Sequence, residues 1–234
     1  MEQTTAQHMF QTSDWVIIFT ALFLGACALF VPFVAELIKR RLFAPELRIQ
    51  FSEGHPYCHL TKRGDGSPVY YFRFRVFNEG KSQARFSEVV LEEVWLADKA
   101  DEFVKDDSFS PVNLTWVGQY QQTQGGLIAR QFVDINPKRE IFCDIGHISS
   151  PDFQRRAEKS QYYLEKDSEA LKFFFDTPVT FFSQRDCISR GKAKIKVRVY
   201  SENAPKKCER YFQISWSGVW KAEEQDMFRE IVIS

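Results

Sequence analysis

The chain has 234 residues, with 31 basic and 31 acidic side chains and no net charge. Every basic residue lies from Lys39 onward, together with 28 of the acids, so the part after residue 38 carries only +3. That balance offers no basic excess for a nucleic-acid partner, and 23 Phe against three Met favour an aromatic, strand-rich core.

Residues 1–14 hold no Lys or Arg and read as a short extracytoplasmic tail. Trp15 to Ala35 carries no charge, and counted through Ile38 the segment has 24 residues. As a helix it spans about 36 Å, enough to cross a hydrocarbon core of about 30 Å. Leu24-Gly25-Ala26-Cys27 resembles a lipoprotein processing box, but the chain stays apolar to Ala35, which favours a retained transmembrane helix over 15–38. Pro32 is tolerated there, and Glu36 reaches the headgroups. The flank Lys39, Arg40, Arg41 places the following domain in the cytoplasm by the positive-inside rule, in a single-pass plasma-membrane protein. Residues 39–46 are a basic connector, and 47–234 suffice for one domain with a core.

Leu47 to Phe51 alternates and predicts a first strand, and His55 to Ser67 reads as a loop. Val69 to Phe77 is the clearest strand, with Tyr70, Phe72, Phe74 and Val76 on one face and Tyr71, Arg73 and Arg75 on the other. Phe86 to Leu96 continues as a strand, with an irregularity where Glu92-Glu93 interrupts the alternation. Asp98 to Asp107 reads as a polar loop, Val112 to Val117 as a short strand and Gln119 to Gly126 as a turn. Leu127 to Val133 and Glu140 to Ile145 are strands; Ser150-Pro151 starts a helix or mobile loop through Ala170. Leu171 to Phe175 and Val179 to Phe182 are apolar and read as buried. Gly191 to Tyr200 points Ala193, Ile195, Val197 and Val199 inward, and Cys208 to Trp216 returns as its partner. A helical turn within Lys221 to Arg229 and a final strand, Glu230 to Ile233, close the chain. Short alternating segments separated by turns predict an all-β, antiparallel sandwich.

Phe74 to Ala84 contains Val76-Phe77-Asn78-Glu79-Gly80-Lys81-Ser82-Gln83-Ala84. This resembles a hairpin of bacterial immunoglobulin-like domains, including the adhesion-related CARDB type with its V-x-N-x-G-x-S-x-A pattern. The resemblance implies an immunoglobulin-like sandwich and no activity. Members of that family are often extracytoplasmic, against the orientation read from the charges. The whole chain is similar to bacterial single-span proteins with a sandwich domain.

Phosphate-binding glycine loops and the Gly-x-Ser-x-Gly elbow are absent. Two compact clusters carry ligand-type side chains: His55, Cys58 and His59, then Cys143, Asp144 and His147. Their donors suit zinc, although Pro56 and the missing Glu exclude a zincin motif, and loop residues explain the same pattern. Cys58, Cys143, Cys187 and Cys208 are free thiols in a reducing compartment, or two disulfides in any of three pairings outside it. Asn113-Leu114-Thr115 is a glycosylation sequon only if the domain is outside. Lys192, Lys194, Lys196 and Arg198 share one strand face, which is a solvated outer face or a surface for anionic lipid or ligand. Trp216 and Trp220 flank a glycine and suit core or sheet-edge packing, with a binding patch as the less favoured alternative.

These features predict a membrane-anchored, non-enzymatic module that binds a protein partner or itself. The small-residue patch Gly25-Ala26-Cys27-Ala28 permits helix association. The alternatives are a tethered sensor of a small anion and, less favoured, a hydrolase built on the His/Cys/Asp clusters.

Overall fold

The computed structural model describes residues 3–124, 126–158, 171–178 and 186–234, without the side chains of 3–14, 39–42, 157 and 158. The chain divides into two units, Met1–Ala44 and Pro45–Ser234. Of the sequence expectations, the basic side chains at 39–41, the stretch to Ala170 after residue 158 and the segment from Val179 to Phe182 lie outside the described residues.

The first unit is one helix, α1 (Gln3–Leu42), so the backbone expected to form a separate tail continues the helix from residue 3. Nothing between Gln3 and Trp15 breaks it: that stretch lacks Gly and Pro. Trp15–Ile38, with mean hydropathy 2.5, is long and apolar enough to cross a membrane, and none of it is buried. The Thr20 hydroxyl donates to the Val16 carbonyl at 2.7 Å, so this polar atom finds its partner within the helix.

The second unit contains β1 (Leu47–Gln50), β2 (Cys58–Lys62), β3 (Pro68–Asn78), β4 (Ala84–Ala97), β5 (Phe103–Lys105), β6 (Val112–Asn113), β7 (Thr115–Trp116) and β8 (Tyr120–Thr123). It continues with β9 (Gly126–Ala129), β10 (Val133–Ile135), β11 (Glu140–Ser149), α2 (Pro151–Glu158), β12 (Phe173–Phe175) and β13 (Cys187–Ile188). The last elements are β14 (Gly191–Tyr200), β15 (Cys208–Trp216), α3 (Glu224–Glu230) and β16 (Ile231–Ile233). One sheet runs β1-β3-β11-β12-β13, with β2 on β3 and β7 on β11. The other runs β10-β4-β14-β15-β16, with β5 and β6 on β4. All pairings are antiparallel, and the two sheets form a sandwich-like body.

The inward rows of β3 and β14 are those that alternation dictates: Tyr70, Phe72, Phe74 and Val76 meet Ala193, Ile195, Val197 and Val199 in one core. Across the layers Phe74 stacks on Phe212 at 5.6 Å, and Phe72 meets Phe228 edge-on. The expected irregularity in β4 is a bulge at Glu92, where Lys196 pairs with Glu93 and Val197 with Leu91.

Several strands differ from expectation. β2 and β5 fall in segments that read as loops, because polar edge strands such as His59-Leu60-Thr61-Lys62 take their order from pairing with a neighbour. The expected Val112–Val117 strand is split. β6 joins β4 in one sheet and β7 joins β11 in the other, with buried Leu114 between them.

The Asn78 motif is not a hairpin, since β3 and β4 belong to different sheets. Fully buried Asn78 ties this inter-sheet connection together. Its carbonyl oxygen accepts from Gly80 and Glu46 amides at 3.0 and 3.2 Å. Its amide nitrogen donates to the Ser82 and Ile135 carbonyls at 2.8 and 2.9 Å. The motif therefore specifies a hydrogen-bond hub.

Candidate functional site

Both His/Cys clusters lie on the first sheet, on either side of β3. Tyr71 pairs in register with His59 of β2 on one side and with His147 of β11 on the other. His147 in turn pairs with Phe174 of β12, and Phe174 with Cys187 of β13. The rings follow this row: His59–Tyr71 at 6.3 Å, Tyr71–His147 at 5.5 Å and His147–Phe174 at 5.8 Å, with His55 6.0 Å from His59.

The cysteines of the two clusters, Cys58 and Cys143, do not share this face. Successive strand residues point to opposite sides, so Cys58 next to His59 turns into the core, as does Cys143. Burial pushes the Cys58 thiol up to about 11 and the Cys143 thiol well above its ordinary value, the opposite of what a thiolate ligand needs. Among the described residues no group of three or more His, Cys, Asp and Glu is placed to hold a metal ion, so the residues present do not fit zinc. None of the five cysteines forms a disulfide.

A different set of charges meets at this place. Arg73 Nε lies 3.0 Å from Asp144 Oδ1, and His147 Nδ1 lies 2.9 Å from Asp176 Oδ1. All four side chains are between 12% and 17% exposed. Burial raises the Asp144 carboxyl to about 7, with Arg73 opposing and Asp176 adding to the rise. Asp176 Oδ2 is buried and without a hydrogen-bond partner. A bulge at Ile145 lets Asp144 face Arg73 and His147 face Tyr71 on the same side. Gly146 completes this geometry, because a Cβ there would stand 2.2 Å from the Phe174 carbonyl oxygen.

Tyr71 and Arg73 are legible as outward residues from the alternation of β3. Asp176 carries no periodic signal, being the first residue after a three-residue strand.

The basic row lies on the outer face of the second sheet, and each of its members has a partner. Lys196 Nζ is 3.0, 3.6 and 3.7 Å from Glu92, Glu93 and Glu209. Arg198 contacts Glu92 and Glu209, and Lys192 pairs with Asp101. Lys194 sits over the Tyr211 ring at 4.7 Å. The hydrogen bond that Lys196 donates to Glu92 holds the lysine above its ordinary pKa. These contacts describe a cross-strand network that glues the sheet's outer face. Trp216 is core, its Nε1 donating to the Leu171 carbonyl at 2.7 Å, and Trp220 packs on Tyr70 at 5.0 Å.

A further surface stands apart from both sheets. Among the described residues β8 and β9 pair only with each other, forming a two-stranded arm. Leu127 is 69% and Ile128 51% exposed, so consecutive residues on opposite faces are both open, and Tyr120 and Phe132 are exposed nearby. A groove of about 670 Å³ runs beside the arm, with Ile128, Arg130, Phe132 and Phe86 among its lining. Phe86 is 61% exposed and adopts φ +48°, a conformation most L residues avoid, while its N–H donates to Asp134 Oδ1 at 2.9 Å. The sequence alone reads Gln119 to Gly126 as a turn and so does not show this arm.

No protein-family model matches the chain, and no curated protein matches it in sequence.

Proposed function

We propose that this chain is a single-pass membrane protein whose sheet domain, an immunoglobulin-like sandwich on the cytoplasmic side, binds a protein partner and catalyses no reaction. The observation that carries the reading is the β8–β9 arm. A folded domain rarely leaves a contiguous apolar patch on a projecting element unless the patch meets another surface. Here Phe86, Ile128 and Phe132 supply that patch along one groove, Phe86 from a strained backbone, while Tyr120 and Leu127 are exposed elsewhere on the arm. An apolar helix of 24 residues supports the anchor. The basic flank at 39–41 supports the orientation.

The test uses the full chain in native membranes, with Leu127 replaced by a photo-crosslinking residue. The reading expects a discrete crosslinked species that disappears when Ile128 is changed to Asp. Only monomer after irradiation counts against a binding role for the arm. Leu127→Cys, probed with an impermeant maleimide in intact cells and in inverted vesicles, reports the side of the membrane. Labelling in intact cells overturns the cytoplasmic placement.

A further inference from the structure

Four charged or titratable groups converge where β7, β11 and β12 meet: Arg73, Asp144, His147 and Asp176. They are mostly buried, so their sum matters more than any single pair. Two carboxylates against one guanidinium leave a net charge of −1 when the imidazole is neutral. One added proton, on a carboxyl or on the ring, brings the cluster to zero. Burying an uncompensated charge is costly, so the folded arrangement favours the protonated form. Among the described residues no donor reaches the buried Asp176 Oδ2.

Among the described residues, the other groups that act on this cluster do not supply the missing positive charge. Tyr71 and His59 on neighbouring strands are neutral; burial raises the Tyr71 phenol and lowers the His59 imidazole from their ordinary pKa values. Cys143 beside Asp144 is held as the thiol by burial. Arg63 and Tyr120 act on Tyr71, and His55 and Glu224 on His59, at the margin of the row.

The cluster sits at the root of the arm. The Asp176 carbonyl accepts from the Thr115 amide at 2.9 Å, and the Asp176 amide donates to Ile145 at 3.2 Å. Asp144 is the register partner of Thr115 in the β7–β11 pair. One residue further, the Trp116 indole donates to the Gln131 carbonyl at 3.2 Å, where the chain returns from the arm.

We propose that Arg73, Asp144, His147 and Asp176 form a proton-operated latch, which in its neutral, protonated state clamps β7 and the root of the β8–β9 arm against β11 and β12, and loosens when the proton leaves. The latch concerns the arm's attachment and holds whether or not the arm binds a partner.

Amide hydrogen exchange on the full chain in lipid nanodiscs tests it, at pH 5.5 and 8.5 with rates corrected for intrinsic pH dependence. Protection at Thr115 and Val117 is expected to fall at least tenfold on raising the pH, while the Ile195 and Phe212 amides keep theirs. Asp144→Asn combined with Asp176→Asn is expected to remove the difference. Equal protection at both pH values overturns the latch, as does loss spread evenly over β14 and β15, or a pH response that persists in the double variant. Should that variant fail to fold, the wild-type carboxyl carbon resonances decide. Asp144 must titrate between pH 5 and 8.5, and its full ionisation throughout overturns the proposal. Neither measurement needs a partner, so failure here and failure of the binding role are read separately.

Discussion

Glu92 and Lys196 meet at 3.0 Å because β4 carries one residue more than β14 at that point. The extra residue sends Glu92 and Glu93 to the same outer face, where strict alternation would have buried one of them. Around them Lys105, Lys196, Arg198 and Glu209 complete a network in which no carboxylate stands alone. A double-mutant cycle of Lys196→Met with Glu92→Gln is expected to give a coupling of about 1 kcal/mol, shrinking at high salt. Urea unfolding of the four species measures it. Charge reversal along the basic row should therefore register first as lost stability, with no change in vesicle binding.

Asn78 is fully buried and makes four side-chain hydrogen bonds. Asn78→Ala removes four hydrogen bonds and strands backbone groups of Gly80, Ser82 and Ile135 in a buried turn. At about 1 kcal/mol or more for each stranded group, a loss above about 3 kcal/mol is expected. Asn78→Asp keeps the acceptor and loses both donations, so its urea midpoint should fall between those of the wild type and the alanine variant.

Stability should decline from acid toward neutral pH at one identifiable group. The Asp144 carboxyl is raised by burial to about 7, against about 3.9 in an unfolded chain. A raised carboxyl contributes fully below the unfolded value, and that contribution is lost as pH climbs through the folded one. The unfolding free energy should thus fall between pH 4 and 7, by at most about 4 kcal/mol from this group. Asp144→Asn should flatten that slope while leaving the rest of the pH profile in place.

Phe86 couples strain to exposure. Its φ of +48° suits glycine, and its side chain is open to solvent. Phe86→Gly is expected to leave stability unchanged or raise it by up to about 1 kcal/mol, since relief of strain opposes the greater entropy of the unfolded chain. In the same variant, crosslinking from position 127 should weaken. A gain in stability accompanied by full crosslinking would mean that the aromatic ring plays no part in recognition.

The strands with the cleanest alternation, β3, β14 and β15, are legible residue by residue, because one face of each is buried and period two leaves no choice of face. Even the β4 bulge is visible, as two adjacent glutamates in an alternating run. β2, β5 and the arm are not legible, since their order comes from neighbours distant in sequence or from exposed pairing that hydropathy does not mark. The candidate site divides the same way. His59 and His147 are conspicuous by type, but grouping them with Cys58 and Cys143 requires residues of opposite strand faces to point together. Once β2 is known to be a strand, that grouping fails by geometry. Asp176 becomes visible only through its contact with His147, 29 positions earlier in the chain.

β4 lies at residues 84–97, yet its longest partner, β14, arrives only at 191–200. Val89, Leu91 and Val94 must wait for roughly half the polypeptide to be synthesised before they find cover from β14. During that interval the nascent domain presents β4 with one edge open, and only the late strand β14 can close it. Translation rate and chaperone access, more than intrinsic stability, should then govern how much of this protein reaches its finished state in the cell.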